Sequence, residues 1–407
     1  MMKLTLTASL TTGIAALACL PLPQSGPLAA QETAEPLSRT MNRAVITLNP
    51  VSTGQLALSW DSSPVSCDSG GATVSAWAAP HAQFAGKKVL DFPVTIGFSI
   101  DDSGRAVDIR VIEGGYVEGK FEASFDSENK TMRFNGKGLL ESLATRDLMP
   151  SLRASLFAAG APQSGCRVVY TPQYMDSADL PREALAAMSA VPGLRLSAAQ
   201  RDRLGGGDCN TVGWPAPLSR AFPDWRLISA TPGTRKWTSL SFDIDEQGVP
   251  ANATVIASSG HDDLDAEGLR AVRESRFAEG PRTGCVTSWW RDPGTIPAAP
   301  GPDPTDFEGY RSCDTLRTWA TRPRLTYPQA YNQRGIEGWA VLGFDIGADG
   351  AIGNVTVLAA QPSEEFGASG KAVLQSGRFQ PSEEIHTRCV ERVRFVKERP
   401  KAEPAEG

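Results

Sequence analysis

Hydrophobic and polar residues alternate most regularly between Gly335 and Ala360. Ala340, Leu342, Phe344 and Ile346 recur with period two, the spacing that lines up one face of a strand. Gly347, Asp349 and Gly350 supply turn chemistry, and Val355 and Val357 resume the alternation, so the stretch predicts a β-hairpin. The pattern occurs twice more. Upstream, Ile96, Phe98 and Ile100 alternate, Asp101 to Gly104 turn, and Val107, Ile109 and Val111 return. In the middle, Leu240, Phe242 and Ile244 take the same places, with Gly248 in the turn.

A helical period follows each hairpin. Leu264 to Phe277 and Phe366 to Phe379 predict amphipathic helices, with Leu264, Gly268, Ala271 and Val272 on one face and Phe366, Gly370, Val373 and Leu374 on the other copy's matching face. In the first copy Pro150 interrupts the equivalent stretch, so its helix is expected to begin late, at Ser151, and run to Phe157. Phe242, Asp243, Ile244, Gly248, Asn252, Val255 and Phe277 each match a residue 102 positions later. The chain therefore reads as a threefold array.

The cysteines keep the same register. Cys209 to Cys285 and Cys313 to Cys389 both span 76 residues; Cys67 to Cys166 spans 99, the excess matching an inserted hairpin at Tyr116–Lys137 that turns at Asp126–Lys130. One disulfide per repeat is the economical pairing, each tying a repeat's entrance to its last strand, and the loop-entropy account gives each about 4 kcal/mol.

The boundaries follow from the repeats. The first occupies 40–172, with two further strands expected at Ala44–Leu48 and Gln55–Trp60. Residues 173–208 form a linker with short helices at Arg182–Met188 and Ser197–Arg203. The second repeat occupies 209–292, a Pro/Gly linker 293–305, the third repeat 306–397, and a charged tail 398–407. Residues 1–30 read as an export signal: Lys3 precedes an uncharged apolar run, and Ala30 offers a cleavage site. A lipoprotein signal ending at residue 18 is the alternative, with Cys19 acylated. Six remaining cysteines agree with an oxidising destination.

Composition narrows the function. The net charge of −6, with no cluster of Lys and Arg, argues against nucleic acid as a partner. His81, His261 and His386 fall in unrelated contexts, and each is expected to be solvated rather than a metal ligand. His261-Asp262-Asp263 reads as a helix start, and the acid pairs near the hairpin turns as turn acceptors. Of Trp289 and Trp290, one ring is expected in the core and the other as a contact or a packing surface. No nucleophile, base and orienter come together, so no enzyme and no cofactor are expected.

The third repeat resembles the C-terminal domain of TonB-family proteins. The resemblance runs over Pro323–Phe395 and rests on Tyr327-Pro328, Arg334-Gly335-Ile336-Glu337-Gly338, Phe344-Asp345-Ile346, Asp349-Gly350, Val355-Thr356-Val357 and Arg378-Phe379-Gln380-Pro381. The second repeat keeps Phe222-Pro223, the Phe-Asp-Ile hairpin and Arg276-Phe277; the first keeps the hairpin, Phe157 and the cysteines. The resemblance implies an α+β fold of three tandem domains, each a three-stranded antiparallel sheet with a helix on one face. It also implies capture of an extended protein or peptide, such as a segment of an outer-membrane receptor, on the last strand from Val390 to Val396. Val390, Arg392, Arg394 and Val396 are then partner-binding candidates, with Tyr327 and Pro328 beside them; Tyr327-Pro328 reads equally as a structural turn. The chain is expected to be a non-catalytic periplasmic binder. A membrane-anchored energy transducer and a peptidoglycan-binding accessory protein are the alternatives.

Overall fold

The computed structural model describes residues 56–85, 92–114, 122–126, 131–135, 145–278, 280–313 and 318–397. The export segment with Cys19, the strand expected at Ala44–Leu48, and the 398–407 tail lie outside them.

Each alternating stretch forms its hairpin. In the first unit, β1 (Leu56–Ser62) and β2 (Ser66–Cys67) precede β3 (Val94–Ile100) and β4 (Ala106–Glu113). Glu122–Asp126 and Thr131–Asn135 pair as the inserted hairpin. Helix α1 (Leu148–Ala154) and the long strand β5 (Gln163–Asp176) follow. Helix α1 begins earlier than the proline suggested. Pro150 sits in its first turn, where backbone N–H groups have no intrahelical partner to lose. The sheet is not three-stranded but seven-stranded. The fourteen-residue β5 outruns the hairpin, and β1 and β2 cover the edge that β3 leaves bare: Ser66 faces Arg167 and Leu56 faces Asp176. Leu58 and Trp60 are buried in this added strand.

The 173–208 stretch is not a free linker. Its two helices, α2 (Arg182–Ser189) and α3 (Ala198–Gly205), lie on the second unit's sheet. Leu185, Met188, Leu196 and Leu204 pack there with Trp237, Ile256 and Val286. That sheet has the order β7-β6-β8, from β6 (Lys236–Ile244), β7 (Pro250–Ser258) and β8 (Arg282–Arg291). Helix α4 (Asp262–Glu274) covers its other face, setting Leu264, Ala271 and Val272 on Leu240, Phe242 and Ile244.

The third unit repeats the plan. Strand β9 (Arg311–Ser312), helix α5 (Gln329–Gln333), strands β10 (Gly338–Ile346) and β11 (Ile352–Gln361), helix α6 (Glu364–Gln375) and β12 (His386–Phe395) give a four-stranded sheet ordered β9-β12-β10-β11. Helix α6 covers the Leu342 and Phe344 face. The opposite face is covered by the Pro/Gly stretch expected as a linker. Trp339, Val341 and Val390 bury against Ala298, Phe307 and Tyr310, and the Trp339 indole N–H donates to the Ala299 carbonyl at 2.8 Å. The signal for this strap was present in its apolar residues, which a free spacer would not need. Each large apolar side chain so buried stabilises the fold by about 1.5–3 kcal/mol.

One contact recurs three times and explains the register of glycine with phenylalanine. The turn residues Gly104, Gly248 and Gly350 have φ of +77°, +75° and +79°. Their carbonyls accept from the N–H groups of Phe157, Phe277 and Phe379, each at 2.9 Å. A Cβ there would collide with the phenylalanine carbonyl. This bond also takes Phe277 and Phe379 out of the helices predicted to hold them: both lie in two-residue strands just past the helix ends.

The cysteines join as Cys67–Cys166, Cys209–Cys285 and Cys313–Cys389. The units also close on each other. Arg334, at the end of α5, forms a bidentate pair with Asp147 at the start of α1, and donates to the backbone carbonyls of Ala79 and Gly233. His81 is therefore partly buried rather than free in solvent. Its Nδ1 lies 3.1 Å from Asp147, and burial draws its pKa down to about 4 against the pull of that carboxylate. His386 is buried as well, on β12. His261 precedes the first residue of α4, beside three acids of its first turn.

A candidate protein-binding edge

Strand β12 is paired along one side with β10, from Gly338 opposite Phe395 to Ile346 opposite His386. On its outer side β9 runs parallel, with Arg311 beside Cys389 and Ser312 beside Val390. The Cys313–Cys389 bond holds β9 where it leaves. Beyond Val390 no described strand pairs with that edge. A cavity of about 300 Å³ lies beside it, lined by Trp319, Pro323, Val373, Leu374 and Val393 and by the charged Glu391 and Arg392. An unpaired strand edge is a template for a further strand.

Alternation along β12 divides the candidate residues. Cys389, Glu391, Val393 and Phe395 face helix α6, while Val390, Arg392 and Arg394 face the strap. Val390 is 1 % exposed and sits under the strap, so its side chain is not available to a partner, and its backbone already adjoins β9. Arg392 donates to the Pro302 carbonyl at 3.1 Å and holds the strap. Arg394 and Val396 are exposed.

Tyr327 and Pro328 are a structural turn in this geometry. Pro328 is buried. The Tyr327 hydroxyl donates toward the carbonyls of Ile336 at 2.7 Å and Phe395 at 3.2 Å, and its ring packs edge-on against Phe366 and Phe395. Burial, with the nearby Glu337 charge, raises its pKa. Tyr327 thus clasps the end of β12 to the entry of β10 and fixes where the open edge stops.

A second device recurs on the return strands. Asp108, Asn252 and Asn354 hold equivalent places on the return strands, with φ of +53°, +52° and +49°, a left-handed region that Asn and Asp tolerate best. Asp345 accepts from the Asn354 amide at 2.7 Å and from the Arg388 N–H at 2.9 Å, and these bonds lower its pKa. Asp243 likewise accepts from the Asn252 amide at 2.9 Å and the Gly284 N–H at 3.0 Å. Arg388 and Gly284 immediately precede the cysteines of the last strands and are themselves left-handed, as is Gly165 in the first unit. The acid therefore holds the register shift two residues into the last strand of the second and third units. The sequence carried this as the repeated Asp and Asn, but the αL turn beside each cysteine is not visible in it. Among the described residues no group of three or more His, Cys, Asp or Glu is placed to hold a metal ion, and no helix is long and apolar enough to cross a membrane.

The aromatic pair of β8 divides. Trp289 is buried against the core, while Trp290 is 46 % exposed with the Arg235 guanidinium 5.7 Å above its ring. Phe222, the counterpart of the Tyr327 turn, is 54 % exposed and packs edge-on against Trp289.

No curated protein matches the chain. A family model described as the C-terminal domain of the Gram-negative bacterial TonB protein matches residues 238–291 and 323–396, which contain the β6–β8 and β10–β12 arrangements. The second and third units belong to the TonB C-terminal domain family.

Proposed function

We propose that this chain is a non-catalytic protein-binding member of the cell envelope, working in the periplasm, and that its third unit captures an extended segment of a partner protein on the outer edge of β12. On this reading the first unit is a third, diverged copy of the same domain. Its turn glycine, its left-handed Asp108 and Gly165, and its Cys67–Cys166 bond keep the pattern of the other two.

The observation that carries the proposal lies in that first unit. Strand β5, the counterpart of β12, has its outer edge filled in cis: β1 runs antiparallel along it, with Ser62 opposite Tyr170 and Leu56 opposite Asp176. The equivalent stretch of β12 starts at Val393, and no described strand pairs with its outer side. A partner strand would take there the place that β1 takes on β5, with main-chain hydrogen bonds giving affinity and Arg394 and Val396 giving side-chain contacts.

The test is a photoactivatable residue at Arg394 in the full-length protein in cells, beside a control at the exposed Glu383. Successive N–H groups along β12 point alternately inward and outward, so one of Val393→Pro and Arg394→Pro removes an outward donor. An envelope protein crosslinked at 394 but not at 383, and lost in one proline variant that still melts as a folded protein, is expected. Equal crosslinking at both positions, or capture unchanged in both folded proline variants, would overturn the proposal.

A further inference from the structure

A cavity of about 520 Å³ lies away from this edge, between β1, the loop around Trp77, helix α2 and the start of β6. That volume is in the range of small-molecule sites. Trp77, Leu180, Met188 and Trp237 give it apolar walls. Helix α2 presents Ala184 and Ala187 to it, three residues apart on one face, so the helix side is hollow rather than filled.

The charged or titratable residues on its lining are Arg235, Arg334 and His81, and no carboxylate lines it. Arg334 is held by Asp147 and two carbonyls, and His81 is turned to Asp147. Arg235 differs. Its Nη2 donates to Asp292 at 2.6 Å and its Nη1 to the Ala190 carbonyl at 3.2 Å, while its Nε is buried with no partner. A buried donor without an acceptor is costly, and an oxygen brought in with a ligand would satisfy it.

We propose that this cavity binds a single-chain amphiphile with a carboxylate head, its chain against Trp77, Met188 and Trp237 and its head accepting from Arg235. It needs an apolar cavity of adequate size, a lining that carries no carboxylate, and an N–H donor without a partner, which the Arg235 Nε supplies although its Nη2 is paired with Asp292. The site is separate from the β12 edge and stands whether or not that edge binds a strand.

Isothermal titration of the full-length protein with decanoate, below its micellar concentration, tests the site, with decanol as the neutral control. Saturable decanoate binding is expected. Ala184→Trp, which fills the hollow from a half-buried position, should abolish binding of both compounds; Ala184→Leu, a milder filling, should weaken both if the tryptophan variant does not fold. Arg235→Gln should weaken decanoate at least about tenfold and leave decanol unchanged, thermal melts confirming the fold. No saturable binding, or binding indifferent to filling at Ala184, overturns the site. Equal decanol and decanoate affinities with no effect of Arg235→Gln overturn the carboxylate assignment.

Discussion

Arg334 grips Asp147 with two hydrogen bonds of 2.7 and 2.6 Å, from Nε and Nη2 to the two carboxylate oxygens, across the boundary between the third unit and the first. Both side chains are nearly excluded from solvent. Removing one partner strands the other charge in the interior, so Asp147→Ala or Arg334→Ala should each destabilise the protein by about 3–5 kcal/mol. Replacing both together, as Asp147→Leu with Arg334→Met, should cost less than either single change. Chemical denaturation of the four proteins checks this, and a double variant as unstable as the sum of the singles would contradict it.

The same boundary should respond to pH from two sides. Burial lowers His81 from its ordinary 6.5 to about 4. The unfolded chain then binds the proton more readily, and stability falls as pH drops from 6.5 toward 4, by up to about 3 kcal/mol. Asp147 acts in the same direction: burial alone would raise it, but the Arg334 charge and hydrogen bonds hold it low. Glu365, on α6, goes the other way. Burial, then the Glu364 charge, raise it to about 7, so the stability it contributes is complete below about 4.5 and lost as pH rises through 7. Melting temperature against pH should therefore flatten on the acid side in His81→Gln and on the alkaline side in Glu365→Gln. Glu365→Gln should raise the melting temperature at pH 8 and leave it unchanged at pH 5.

The hairpins, their turn glycines and the cysteine register were legible because each rests on local chemistry: period-two burial, a residue with φ above zero, and equal spacing between copies. The α+β class followed from that. What covers the sheets was not legible. Residues 173–208 and 293–305 read as linkers on their Pro, Gly and polar content, yet Leu185 and Met188 in the one, and Ala298 in the other together with the following Phe307 and Tyr310, are the second layers of two sheets. Two-sided cover is also why Val341, which the alternation assigns to solvent, is buried. Tyr327-Pro328 read equally as a turn or as a contact, and the structure adds that the Tyr327 hydroxyl reaches the carbonyls of Ile336 and Phe395. The Asp147–Arg334 pair joins residues 187 positions apart and had no local signal.

The bond from Phe379 N–H to the Gly350 carbonyl predicts a position that tolerates no side chain. Gly350→Ala adds both a left-handed alanine and a collision with the Phe379 carbonyl. It should cost more than the roughly 1–2 kcal/mol of the backbone conformation alone. Asp345→Ala is the companion test. It frees Asn354 and the Arg388 N–H together, and should cost about 1–3 kcal/mol through the unpaired groups left behind. Asn354→Ala, which leaves the Arg388 bond in place, should cost less than Asp345→Ala in the same denaturation experiment.

The Cys313–Cys389 bond closes a loop of 76 residues and stands where β9 departs from β12. Two effects of removing it should be separable. Closing so long a loop restricts the unfolded chain, so Cys313→Ser with Cys389→Ser should lower stability by about 2–4 kcal/mol. Strand β9 contributes only two residues to the sheet, held between Tyr310 of the packed strap on one side and the Cys313 bond on the other. Amide hydrogen exchange in the native state should then quicken at Arg311 and Ser312 and along β12 at Cys389→Ser and Val390. Inner amides between β12 and β10 should change only as far as global stability does, because that ladder runs from His386 to Phe395 and does not depend on β9. Loss of protection spread evenly over β12 would instead mean that the bond holds the whole strand rather than its outer neighbour.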